Sequence, residues 1–233
     1  MTAPPGTLPP SRLLQPTTVK WFAAIFGGSL AYAVVRYHVV GDEPWRHFPL
    51  FILNKATSLA AVVFVACSYL VGRVFRWHDH DNALRLVVVK FCGLMGFFLA
   101  AAHVLFSFSL ITPAYFAKYF DADGRLNLEG EVAMATGVLG LLFLLSPALT
   151  TLPMMPKSLG GWRWKRSQRM GYVALGLVVA HLVALGWKGW MNPSGWHGGL
   201  PPVSLVALVA AVVPLVVKRR RVLAKQQREA ERA

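Results

Sequence analysis

Acidic residues and cysteines are scarce in this chain. Ten Asp and Glu stand against 24 Lys and Arg in 233 residues, and the cysteines are only Cys67 and Cys92. The two thiols have no CxxC spacing, so cysteine cannot build a zinc or iron–sulfur site here. Both fall within apolar runs and read as buried packing groups. No glycine-rich loop follows a strand pattern, and no GxxxxGK[ST] run occurs, which removes the usual cradles for dinucleotide and nucleotide phosphates. Any electrons this chain handles must therefore come from a partner protein or a lipid-soluble carrier.

What the chain has instead is length of apolar run. Its composition is 55% hydrophobic with a mean hydropathy of +0.49, and the apolar residues are continuous rather than striped. Crossing ~30 Å of hydrocarbon takes roughly 20 residues as a helix. Six such runs occur, near 19–40, 50–73, 85–112, 131–152, 169–191 and 201–217. Continuous runs exclude the alternation of a membrane barrel, and helices satisfy their own backbone groups in lipid. The fold class is all-α: a polytopic membrane protein built as a six-transmembrane-helix bundle over residues 19–217. Residues 1–18, rich in Pro, Thr and Gly, read as a flexible leader, and residues 218–233 as a basic tail that continues the last helix.

Charge placement predicts the topology. Arg12 and Lys20, then Arg73, Arg76 and Arg85, then Lys157 to Arg169, and finally the tail from Lys218 lie on one side; Asp42, Glu43, Asp121, Asp123, Glu129 and Glu131 lie on the other. The positive-inside rule puts both termini in the cytoplasm, in what reads as a bacterial inner membrane, with tryptophans and tyrosines belting each interface. The net charge of +14 is then an orientation signal and an attraction to anionic membrane lipid, so no nucleic acid partner is expected.

Two histidines lie inside the spans, His103 in LMGFFLAAAHVLFSFSL and His181 in GYVALGLVVAHLVALGW. An intramembrane imidazole is costly unless it is paired or ligating. Counted from the outer helix ends near Pro113 and Trp190, both sit about nine or ten residues deep, roughly 14 Å at ~1.5 Å per residue. Two imidazoles at one level on separate helices are what axial ligation of a planar haem iron requires. Ala100, Ala101, Ala102, Gly171, Gly176 and Ala180 offer room for a flat macrocycle. Equally, each histidine could hold a neighbouring helix by a hydrogen bond, and spacing alone leaves both readings open.

The pattern W-x₃-Q-R-M-G-Y-x₈-H (Trp164, Gln168, Arg169, Met170, Gly171, Tyr172, His181), FFLAAAHVLFS in the third span and TGVLGLLFLLSPALTTLP in the fourth resemble the ferric-reductase-like transmembrane domain. That superfamily includes the haem-binding membrane subunit of the methionine-sulfoxide reductase system, the NADPH oxidases and the six-transmembrane metalloreductases. The resemblance covers about residues 49–191 and implies a six-helix b-haem protein that relays electrons, with His103 and His181 as the outer haem pair. It also implies a redox partner protein or the quinone pool as the source of electrons. The sequence departs from the pattern where a second histidine stands thirteen residues earlier on the fifth span. Gln168 occupies that place, preceded by Ser167, and the third span offers Val89 or Lys90 opposite. One haem b near the outer face is the expectation.

Further residues invite smaller readings. Arg36, at the outer end of the first span, could pair with a haem propionate through its guanidinium fork, or snorkel to the interface. Asn54 could tie two helices, while Lys55 and Lys90 should snorkel. His78 and His80 in RWHDHDN could hold a divalent metal, though a polar connection explains them as well. His38, His47 and His197 would suit an outer metal substrate, as in a self-sufficient metalloreductase. A haem-free membrane scaffold or small transporter with structural histidines is the alternative from another class.

Overall fold

The structure, a computed structural model, describes residues 14–74, 82–151 and 160–231. His78 and His80, most of the leader, Arg73's side chain and Lys157 lie outside what is described.

Six helices are long and apolar enough to cross a membrane, in the order expected from the sequence, and the chain is an integral membrane protein. Helix α1 (Pro16–Val34) starts with Pro16 and a reciprocal cap in which Gln15 N–H donates to Thr18 Oγ1 at 3.0 Å. It runs on into a π turn, Val35–Val39. A 3₁₀ turn (Trp45–His47) and a second π turn (Phe48–Ile52) lead into α2 (Leu53–Val74). Then follow α3 (Asn82–Leu110), the short α4 (Pro113–Phe116), α5 (Leu128–Leu149), α6 (Gly160–Trp190) and α7 (Val203–Ala230). Asn127 caps α5, its Oδ1 accepting from Gly130 N at 3.0 Å, and Glu129 and Glu131 complement the positive end of that helix. Among the described residues there is no strand, only an isolated bridge between Phe120 and Leu126.

Helix α2 is the axis of the bundle, more deeply buried than any other span. It packs on α1, α3 and α7, while α5 and α6 form a second closely packed pair joined to it mainly through α7. Apolar burial does not drive such packing in lipid, so fit and polar contacts must. One core cluster sets Phe64 and Ala60 of α2 against Val88, Phe91 and Cys92 of α3, with Phe22 and Phe26 of α1 alongside. A second joins Val65, Leu144, Tyr172, Leu175 and Ala211 from α2, α5, α6 and α7. Cys67 and Cys92 are free thiols in the first of these regions, as their lack of pairing in the sequence suggested. The last helix stays regular through its basic stretch to Ala230, well past the apolar run that ends near residue 217.

The tryptophans only partly line the two rims. Trp45, Trp162 and Trp164 are exposed, but Trp21 packs against the first core cluster and Trp190 turns inward to donate to Ser204 Oγ at 3.1 Å.

Candidate functional site

Between α2, α3, α5, α6 and the start of α7 lies a cavity of about 430 Å³. His103 of α3 and His181 of α6 both line it. Their ring centres are 6.4 Å apart with the ring planes at 79°. The sequence placed these two imidazoles at one depth, and the fold brings them into one space.

Each ring is held at the same nitrogen. His181 Nδ1 lies 2.6 Å from the Ala133 carbonyl oxygen. A carbonyl only accepts, so Nδ1 carries the proton. His103 Nδ1 lies 2.5 Å from Asn54 Oδ1, and Asn54 Nδ2 donates to Ser107 Oγ at 3.2 Å, which fixes the amide with its oxygen toward the imidazole. In both rings the lone pair is left on Nε2. A metal-binding histidine is ordinarily held in this way, its other N–H donated to a fixed acceptor. Metal–imidazole bonds of about 2 Å each account for a ring separation of the size seen here. The donor set and the space between the rings fit an iron held from two sides.

Much of the small wall that would face a macrocycle comes from α5, whose TGVLG stretch the sequence offered as part of a resemblance and not as room for a ligand. Of Ala100, Ala101, Ala102, Gly171, Gly176 and Ala180, only Ala100 lines the cavity. Gly130, Ala133, Gly137 and Gly140 of α5 supply further small surface, as do Ala174, Gly186 and Gly189 of α6, Ala61 of α2 and Ala207 of α7. Gly137 is decisive, because a Cβ there would stand 2.9 Å from His181 Nδ1 and 3.0 Å from its Cε1. Its bare Cα lets the imidazole reach the Ala133 carbonyl one turn earlier.

Positive charge borders the cavity, and among the described residues no Asp or Glu lines it. Arg36, in the π turn after α1, is buried, donates through Nη1 to the Leu200 carbonyl, and keeps its Nε buried without a partner. Gly198 and Gly199, both with positive φ, turn the chain so that Leu200 and the neighbouring Pro201, which accepts from Tyr32 Oη at 2.6 Å, face α1. Arg36 is therefore drawn into the protein rather than out to the interface. Lys55 does not snorkel either. Its ammonium lies 5.0 Å and 5.1 Å from the ring centres of Phe51 and Phe116, a cation–π pocket on the cavity wall. Sequence reasoning missed this role, though a lysine within an apolar run was the available signal. Lys118 and Tyr119, in the connection after α4, complete that rim, both donating to the Leu185 carbonyl, at 3.1 Å and 2.6 Å. Burial pushes the Tyr119 phenol above its usual range, aided by nearby Glu129.

At the level where the resembling pattern has another histidine, half-buried polar side chains are tied to one another. Gln168 Nε2 donates to Thr150 Oγ1 at 3.2 Å, and Ser167 Oγ is 2.9 Å from Ser146 Oγ. Tyr69 donates to the Gln168 carbonyl at 3.0 Å and occupies the space a Cβ on Gly171 would need. The outer histidines do not assemble: His47 sits on the Glu43 carboxylate at 3.0 Å, while His38 stacks on Trp45 and reaches the Glu43 carbonyl at 2.7 Å. No group of three His, Cys, Asp or Glu able to hold a metal occurs among the described residues.

No family model matches the chain. It is 26% identical to the metalloreductase STEAP3 of Rattus norvegicus, over 84% of this chain and 46% of that protein. It is 25% identical to the metalloreductase STEAP2 of Mus musculus, over 73% of this chain and 40% of that protein. With the protein-methionine-sulfoxide reductase heme-binding subunit MsrQ of Ralstonia nicotianae the identity is 24%, over 90% of this chain and 87% of that protein. The chain spans less than half the length of the metalloreductases it matches. Both groups are ferric-reductase-like transmembrane domain proteins, the superfamily that the sequence resembles between residues 49 and 191.

Proposed function

We propose that this protein is a membrane electron-transfer subunit in which His103 of α3 and His181 of α6 would hold the iron of one b-type haem. The observation that carries the reading is the pair of imidazoles 6.4 Å apart across one cavity. Both have Nδ1 engaged by a fixed acceptor. Similarity to a haem-binding subunit over most of both chains supports the cofactor.

The haem supplies reversible one-electron chemistry when bound, and two strong imidazole ligands favour electron relay over binding of oxygen. The chain's own residues do the rest. His103 and His181 fix the iron from two helices. Gly137 and Gly140 would admit the macrocycle beside α5, and Arg36 and Lys55, which border the same cavity, would be available to pair with its propionates. Where the resembling pattern has a further histidine, Gln168 donates to Thr150 and Ser167 meets Ser146, which supports a count of one.

Charge distribution supports both termini in the cytoplasm, and similarity to a bacterial subunit supports an inner membrane; in that orientation the haem would lie near the outer face. Electrons would arrive from a quinol diffusing in the bilayer or from a partner protein. An outer metal-substrate site on His38, His47 and His197 gains no support, because no group of three His, Cys, Asp or Glu able to hold a metal occurs among the described residues.

An absorption spectrum of the detergent-purified protein, oxidised and then dithionite-reduced, tests this reading. Sharp reduced α and Soret bands at one haem per chain are expected, lost in His103→Ala and in His181→Ala. A flat visible spectrum from cells well supplied with haem would leave a scaffold or transporter with structural histidines.

A further inference from the structure

We infer that Asn54 is a positioning residue for the iron: through His103 it sets both the ligand's orientation and the redox potential of the haem. The inference rests on the haem reading above and goes beyond the tie between two helices that an asparagine in a span ordinarily provides.

The two ligand histidines are held by acceptors of different kinds. His181 leans on a main-chain carbonyl, Ala133, which no substitution can remove. His103 depends on a side chain from another helix, Asn54 of α2, which is 3% exposed. Asn54 is itself oriented by Ser107, one turn beyond His103 on α3, with the hydroxyl 3.2 Å from Nδ2 and 3.4 Å from Oδ1. The same hydroxyl lies 3.4 Å from His103 Nδ1. The amide's two ends are thus used on one helix, one to take the imidazole N–H and one to register the next turn. The next residue on α2 is Lys55, so one turn of α2 meets both the ligand and the cavity's charged wall.

The chemistry follows from the bond. An acceptor on Nδ1–H raises the basicity of the imidazole and its donation through Nε2. More donation favours the ferric state and lowers the potential. At 2.5 Å in an apolar span, with few competing partners, this bond should couple strongly to the iron.

The test is a redox titration with low-temperature electron paramagnetic resonance on the purified full chain, comparing wild type, Asn54→Leu and Asn54→Asp. Where Asn54→Leu keeps its haem, its midpoint should shift upward and its ferric signal broaden, while Asn54→Asp stays at or below wild type. A Leu variant with haem content, midpoint and signal all equal to wild type overturns the inference. Where Asn54→Leu loses its haem, Asn54→Asp should restore both haem and signal, and failure of that near-isosteric acceptor to do so also overturns it. The parent reading fails separately: wild type would carry no haem, or His103→Ala would keep an unchanged spectrum.

Discussion

A histidine in lipid announces itself, whereas the glycine that makes room for it does not. His103 and His181 were legible because an imidazole in hydrocarbon needs a partner, and both prove to have one. Gly137 was illegible: in TGVLG it looks like any small residue on a packed helix, and only the fold shows that His181 passes over its Cα to reach Ala133. Gly137→Ala should therefore cost about 1–3 kcal/mol of overpacking at the ring. The new methyl would displace His181, and the visible spectrum should change from six-coordinate to a mixture or lose haem altogether. An unaltered spectrum and haem ratio would show that the ring has slack. Lys55 was half legible. Its oddity was visible as a charge inside an apolar run, but its destination depended on Phe116, which follows α3 far along the chain.

At the scale of the element, α6 is the informative helix. The span and its outer histidine could be read directly from apolar length and from the resembling pattern. The substitution of Gln168 for a histidine could be read too, but its meaning could not, because it rests on α2 and α5. Tyr69 reaches over Gly171 from α2, and Thr150 and Ser146 close the gap from α5. Sequence had suggested an absent ligand; the fold shows the glutamine bonded into a cluster of half-buried polar side chains. Gln168→His should consequently leave the haem count at one per chain by pyridine haemochrome assay. A rise toward two would mean that the network yields readily to a macrocycle.

For the whole molecule, the order and number of spans followed from hydropathy, while the joining of the two helix pairs through α7 and the closing of the cavity rim by residues after α4 did not. That rim depends on a protonated phenol, since Tyr119 donates to the Leu185 carbonyl at 2.6 Å. Its acidity is weakened in the folded state chiefly by burial. A group whose folded value is raised contributes stability that is complete below its unfolded value, about 10 for tyrosine, and is lost as pH climbs from there toward the folded value. Hydrogen exchange across residues 113–127 should accelerate above about pH 10 in wild type, and this alkaline step should vanish in Tyr119→Phe. Equal pH profiles in the two would place the rim's stability elsewhere.

The charge pattern of the cavity wall bears on what travels with the electron. Arg36, Lys55 and Lys118 border the space, the imidazole N–H groups are committed to neutral acceptors, and among the described residues no carboxylate faces it. Among these cations Lys118 holds its proton less tightly than a free lysine does, because burial disfavours its ammonium. With haem held there as proposed, the negative charge added on reduction would strengthen that hold. A wall built this way would couple part of any electron movement to proton uptake, so a share of the pH response would reside in the protein itself.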